Sequence, residues 1–229
     1  MRIHLALEDM EPNHWIAWAL GLPACYSSAT TAVDAIELAP QKIMEYFSWL
    51  MSNNNIFPAV KEEVDVDIVE IFHSFASSED PEYIVNAFFD DDRHALGYWD
   101  VITGLTLLNW TRQDLLSTIQ SFTQEQLTRT IPGEIRGSVS GILNHIAIAE
   151  NWYFSHLDRG LQQDQLPGDP LDRLVVVREN TIKQLPGLIG NERITHNYDE
   201  LWSARKVVRR TLWHERDHTQ HISRLLTHL

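Results

Sequence analysis

The stretch LWSARKVVRRTLWHERDHTQHISRLL, residues 201–226, decides how the chain is read. Wound as a helix, it puts His214 and His218 about 40° apart, with His221 about 20° to the other side of His214. Val207, Thr211 and Leu225 share that stripe, so three histidines lie on an otherwise apolar face that should look into the protein. Glu215 falls about 100° from His214, and Arg216 points roughly away from the stripe, toward solvent. A lone histidine on such a face is ordinarily a hydrogen-bonded core residue. Several buried imidazoles need several partners, and one metal ion satisfies them together.

Within this helix HERDH, residues 214–218, matches H-E-x-x-H, the spacing by which zinc proteases hold two ligands and a general base. Those enzymes draw a third ligand from downstream. Only 11 residues follow His218, His221 has the wrong spacing, and no glycine turn intervenes. The third ligand must therefore lie upstream, and the protease reading fails. The candidate is His145 in GILNHIAIAENWY, residues 141–153, where Gly141, Ile142 and Ala149 leave room for another helix and Trp152 lies near the same face. Taken alone it could equally be a core histidine. Three neutral imidazoles with an open fourth position would make a catalytic rather than a structural site.

Outward from this helix the chain reads as four amphipathic helices with polar connections, which predicts a four-helix bundle. They span residues 93–122, with Trp99, Ile102, Leu105, Leu108, Leu115, Leu116 and Ile119 as its stripe; 138–157, with Ser138 as a cap and Ile142, Ile146, Trp152, Tyr153 and Leu157 apolar; 169–185, opening on Asp169 and Pro170; and 201–226. Residues 1–75 differ. RIHLALED, HWIAWALGLP and CYSSA read as three strands, and Thr30 or Thr31 caps a helix over 31–52 carrying Val33, Ile36, Ile43, Met44, Phe47 and Leu50. Pro40 breaks or kinks that helix, and NNN at 53–55 closes it. VDVDIVEIF, 64–72, alternates as a half-buried strand. The polar SSEDPE, 77–82, reads as a linker. The expected architecture is a small α+β domain over residues 1–78, strands packed on one helix, followed by an all-α four-helix bundle over 79–229.

Composition bounds the function. The net charge of −14 and pI near 5.1 argue against a broad phosphate-binding surface, leaving SARKVVRR at 203–210 as the only local basic candidate. A single cysteine, Cys25, fits a reducing compartment, and neither a signal peptide nor a membrane span is legible, so a soluble, cytoplasmic protein is expected.

Two resemblances add to this. WIAWALGLPACYSSATTAVDAIELAPQKIMEYF, residues 15–47, resembles the HicB antitoxin-type domain, with Ala24 standing where that family usually has glycine. NHIAIAENWYFSHL with LWHERDHTQHISRLL resembles the DinB-like superfamily of metal-binding four-helix bundles over about residues 85–229. The second resemblance implies one divalent metal ion, zinc or nickel with iron as a further option, ligated by His145, His214 and His218, with His221 beside the ligands. It implies a metal-dependent transferase or hydrolase acting on a small molecule, with a low-molecular-weight thiol as one candidate partner and a homodimer as one candidate assembly. Glu215 and Asp217 could orient a ligand imidazole or accept a proton, or could lie solvated or pair with Arg209, Arg210 or Arg216. Trp152 and Tyr153 could line a pocket or belong to the core. The alternative function is a non-catalytic, metal-braced bundle joined to a HicB-like protein-interaction domain.

Overall fold

A computed structural model of the chain describes residues 1–53 and 63–226. Residues 54 and 55 of the expected NNN helix stop lie outside the described residues. The chain forms two compact units, one of Met1–His94 with His196–Trp202, the other of Ala95–Thr195 with Ser203–Leu229.

In the first unit the strands are β1 (Arg2–Glu11), β2 (His14–Ala19), β3 (Tyr26–Ala29) and β4 (Asp65–His73), in the order β3-β2-β1-β4. The two hairpin connections make β1, β2 and β3 antiparallel, and the crossover through α1 (Ala32–Asn53) returns β4 parallel to β1. Thr31 caps α1, its hydroxyl accepting from the Asp34 amide at 3.1 Å. The helix runs unbroken through Pro40. The missing N–H costs one bond, and the face of Ala35, Ala39, Ile43, Tyr46 and Leu50 buried against the sheet outweighs it. That face is set partly by small residues, which allow close approach; Val33, expected on it, is exposed. Ala24 sits at φ 71°, in the left-handed region that favours glycine.

Two short hairpins escape periodicity, because strands of two or three residues are too short to show alternation. The first, β5 (Phe75–Ala76) and β6 (Ile84–Val85), has the segment 77–82, read as a linker, as its connection. The second, β7 (Thr195–Asn197) and β8 (Glu200–Trp202), turns through Tyr198 and Asp199, both at positive φ as a two-residue hairpin turn requires. Asp199 accepts bonds from the Ser78 amide and hydroxyl, each at 2.6 Å, and from the Ser77 hydroxyl at 3.0 Å, while buried Glu200 accepts from the Tyr83 hydroxyl at 2.6 Å. The segment 77–82 is thus anchored, not free-running.

The second unit contains α2 (Tyr98–Ile119), α3 (Gln124–Thr128), α4 (Val139–Ser155), α5 (Pro170–Gln184) and α6 (Ala204–Leu226). Ser138 caps α4 and Asp169 caps α5, with Pro170 at its first position. α4 packs on α5 and α6, and α6 also packs on α2. A continuous apolar cluster including Leu115, Ile142, Ile146, Leu174, Val177 and Ile222 fills the space between them. On α2 the expected stripe is rotated. Trp99, Ile102 and Leu116 are exposed, while Thr111 and Arg112 are buried beside Val101, Leu107, Leu108 and Leu115.

Unit 1 also buries a carboxylate completely: Glu8 accepts from the Trp18 indole at 2.9 Å and the Ala87 amide at 2.8 Å. Glu8→Ala would leave both buried donors unsatisfied. It is expected to cost about 2–4 kcal/mol in urea unfolding followed in the near-UV spectrum, the sum of two lost desolvated bonds.

Candidate metal centre

α4 and α6 bring His145, His214 and His218 together. Each offers a ring nitrogen within 4.8 Å of the others. His145 Nε2 and His214 Nε2 are 3.1 Å apart, and the three rings meet edge-on with centroids 4.4–5.0 Å apart. His214 comes from the buried stripe of α6; His145 and His218 are half-buried.

The set fits a divalent cation. Nitrogen ligands around a tetrahedral ion at ordinary bond lengths lie roughly 3.3 Å apart, close to the observed His145–His214 spacing. His218 Nδ1 is buried with no hydrogen-bond partner, as a nitrogen kept for a ligand would be. Burial, followed by the Arg136 charge, lowers the His145 pKa to about 4. Burial, followed by His145, His221 and Arg136, lowers that of His218 to about 3. His214 is driven well below its ordinary value by burial, then by His218 and His145. All three are neutral at pH 7 with lone pairs to give.

A loop missed in the sequence borders the trio. Residues 131–137 close on themselves through the Ile131 amide to the Gly137 carbonyl at 2.8 Å, with Gly133 and Gly137 at φ 82° and 77°. The loop carries Glu134, whose carboxylate accepts the Arg136 amide at 2.9 Å and pairs with His221 Nε2 at 3.1 Å. His221 therefore turns to Glu134 instead of joining the group. Arg136 Nη2 lies 3.4 Å from His145 Nε2. The signal in the sequence was the pair of glycines flanking Glu-Ile-Arg, a tight turn with charged residues at its tip.

Tyr153 is buried with its ring edge-on to His214 at 5.9 Å, and Arg210 lies 6.0 Å from the same ring. Trp152 instead meets His156, centroids 4.4 Å apart. Asp217 is half-buried on α6 and contributes no atom to the histidine group.

Glu215 is part of something else. Its carboxylate accepts from Thr111, from Arg112 Nε at 2.6 Å and from Arg178 Nη2 at 2.9 Å. Arg112 Nη2 also reaches Glu150 at 3.1 Å, and Arg178 binds Glu150 in a fork at 2.8 and 2.9 Å. The partners are not the arginines of its own helix, as one expected alternative had it. Burial alone would raise the Glu215 pKa, but Arg178 and then Arg112 outweigh it and hold the carboxyl well below the usual carboxylate range. Each of its oxygens is engaged by a guanidinium group, which favours the ionised form over proton uptake. A second carboxylate-histidine group among the described residues, Glu79, His196 and Asp199, is largely exposed, and its Asp199 oxygen already accepts three bonds.

Removing one member of the quartet strands buried charge, so Glu215→Ala is expected to cost about 3–5 kcal/mol in urea unfolding. The histidines give a separate pH dependence. The unfolded chain protonates near pH 6.5, whereas folded His145 and His218 resist protonation to about 4 and 3, so acid favours unfolding. Their contribution is complete above pH 6.5 and lost as pH falls toward those values. The melting temperature of chelator-treated protein should therefore drop between pH 7.5 and 5, and less steeply in His214→Phe.

No curated protein and no solved structure matches the chain. A family model of the DinB superfamily matches residues 107–222, a span that holds the quartet, the loop at 131–137 and all three clustered histidines. With half the chain matched and a histidine group fit for a metal inside the match, the chain belongs to the DinB superfamily.

Proposed function

We propose that the second unit is a four-helix bundle built from α2, α4, α5 and α6, and that it is a metal-dependent enzyme acting on a small molecule as a transferase or hydrolase. The observation that carries this is the convergence of three neutral imidazoles, each with a ring nitrogen within 4.8 Å of the others. His145, His214 and His218 would hold a divalent ion, with zinc or nickel suited to an all-imidazole set. Bound there, such an ion supplies a Lewis acid toward a water or a low-molecular-weight thiol. The chain's own residues do the rest. Tyr153 walls His214 with an apolar ring edge, and Glu134 holds the His221 ring out of the group. Arg136 sets a positive charge at the margin of the trio, where an anionic group could meet it.

The catalytic reading is favoured over a purely bracing metal because the helices are already joined by the Glu150, Glu215, Arg112 and Arg178 cluster and by the apolar core. The histidines are spare to that task. The single buried cysteine, Cys25, and the lack of any described helix long and apolar enough to cross a membrane support a cytoplasmic setting.

Elemental analysis of protein purified without a histidine tag is expected to give one equivalent of a first-row transition metal, lost in His145→Ala and retained in Arg136→Gln. Cobalt-substituted protein should change its visible spectrum on adding a small thiol. Full metal content in His145→Ala would overturn the ligand set, and an unchanged cobalt spectrum would leave the bracing role.

A further inference from the structure

The acidic charge of the chain is not shared between its units. Residues 1–94 carry 17 Asp and Glu against 4 Lys and Arg, and the 196–202 hairpin adds Asp199 and Glu200, whereas residues 95–229 as a whole carry 15 against 14. Three of the acids of the first unit, Asp65, Asp67 and Glu70, lie on one strand. β4 ends the four-stranded sheet, pairing only with β1, so its other backbone edge has no strand beside it among the described residues.

The two faces of β4 differ. The register sets Val66, Ile68 and Ile71 beside Ile3, Leu5 and Leu7 on one face, and Asp65, Asp67 and Glu70 beside Arg2, His4 and Ala6 on the other, with Val69 bulged out between. The first is the face that α1 covers, since Leu7 aligns through Ala17 with Ser27, whose hydroxyl donates to the Ala35 carbonyl of the helix. α1 lies mainly over β2 and β3 and reaches β4 only at its margin, which leaves Ile68 and Ile71 46% and 55% exposed. The other face is an acidic row, bridged among the described residues by Arg2, which reaches Asp67 at 3.3 Å, while Glu70 accepts the Asp90 amide.

We propose that the open edge of β4 is a docking site for an extended segment of a cationic protein, one that alternates basic and apolar residues. Strand addition would satisfy the edge backbone. Alternation would then send every second side chain onto Ile68 and Ile71 and the intervening ones onto Asp65, Asp67 and Glu70. A second copy of the chain does not fit, because edge-to-edge pairing of β4 with itself keeps like faces together and lays acid row beside acid row.

The test uses the whole chain with three blocked decapeptides, alternating lysine with valine, glutamate with valine, and lysine with serine. Fluorescence anisotropy gives affinity and hydrogen exchange at residues 65–73 gives the place. The lysine-valine peptide is expected to slow exchange on β4 and to bind at least about tenfold tighter than either other peptide. The variant Asp65→Lys with Asp67→Lys should reverse the preference between the lysine-valine and glutamate-valine peptides. Equal binding of the lysine-serine peptide would reduce the effect to diffuse attraction and overturn the proposal. So would unchanged exchange on β4, or protein-concentration-dependent protection of β4 without peptide, which would make the occupant a second copy.

Discussion

Four buried charges, one from each long helix of the second unit, hold that unit in register. Arg112 of α2, Glu150 of α4, Arg178 of α5 and Glu215 of α6 form a closed set in which both carboxylates bridge both guanidinium groups. Burying four charges is costly, and such sets are seldom the cheapest route to stability. Their value is directional. An apolar core tolerates small rotations of a helix, whereas a forked Arg–Glu bond does not. On α6, Glu215 stands about 100° from His214, so pinning the carboxylate sets the direction in which His214 and His218 point. The same holds on α4, where Glu150 follows His145 by five residues. The placement of the three histidines on α4 and α6 is thus tied to a charge network built from other residues.

Around the trio the electrostatics oppose those of the chain at large. A protein of net charge −14 surrounds its three imidazoles with Arg136 and Arg210, and both depress His214. No carboxylate joins the ligand group. Glu134, on the loop that borders the trio, pairs with His221 and accepts the Arg136 amide of its own loop.

Much of the first unit was legible. Alternation and turn residues gave strand, strand, strand, helix, strand in order, and Thr31 caps as its side chain allows. The misses share a cause, which is that local pattern carries no information about what lies opposite. Pro40 reads as a helix break until the sheet beneath α1 is present. The α2 stripe reads one way by hydropathy and packs another, because Thr111 and Arg112 find buried partners on α5 and α6. The β5–β6 and β7–β8 hairpins are too short for periodicity, and the anchor of the first, Asp199, lies 121 residues from Ser78.

The sequence by itself determined that His214 and His218 share a helix face, because helical pitch dictates that from spacing alone. Tertiary structure decided the rest. Glu215, the reactive residue of a protease pattern, became a structural counter-ion once α2 and α5 brought Arg112 and Arg178 to it. His221, expected beside the ligands, pairs with the carboxylate of Glu134, 87 positions earlier. Helix pitch sets which side chains leave a helix together; only packing supplies what they meet, and for ionisable groups the partner determines the role.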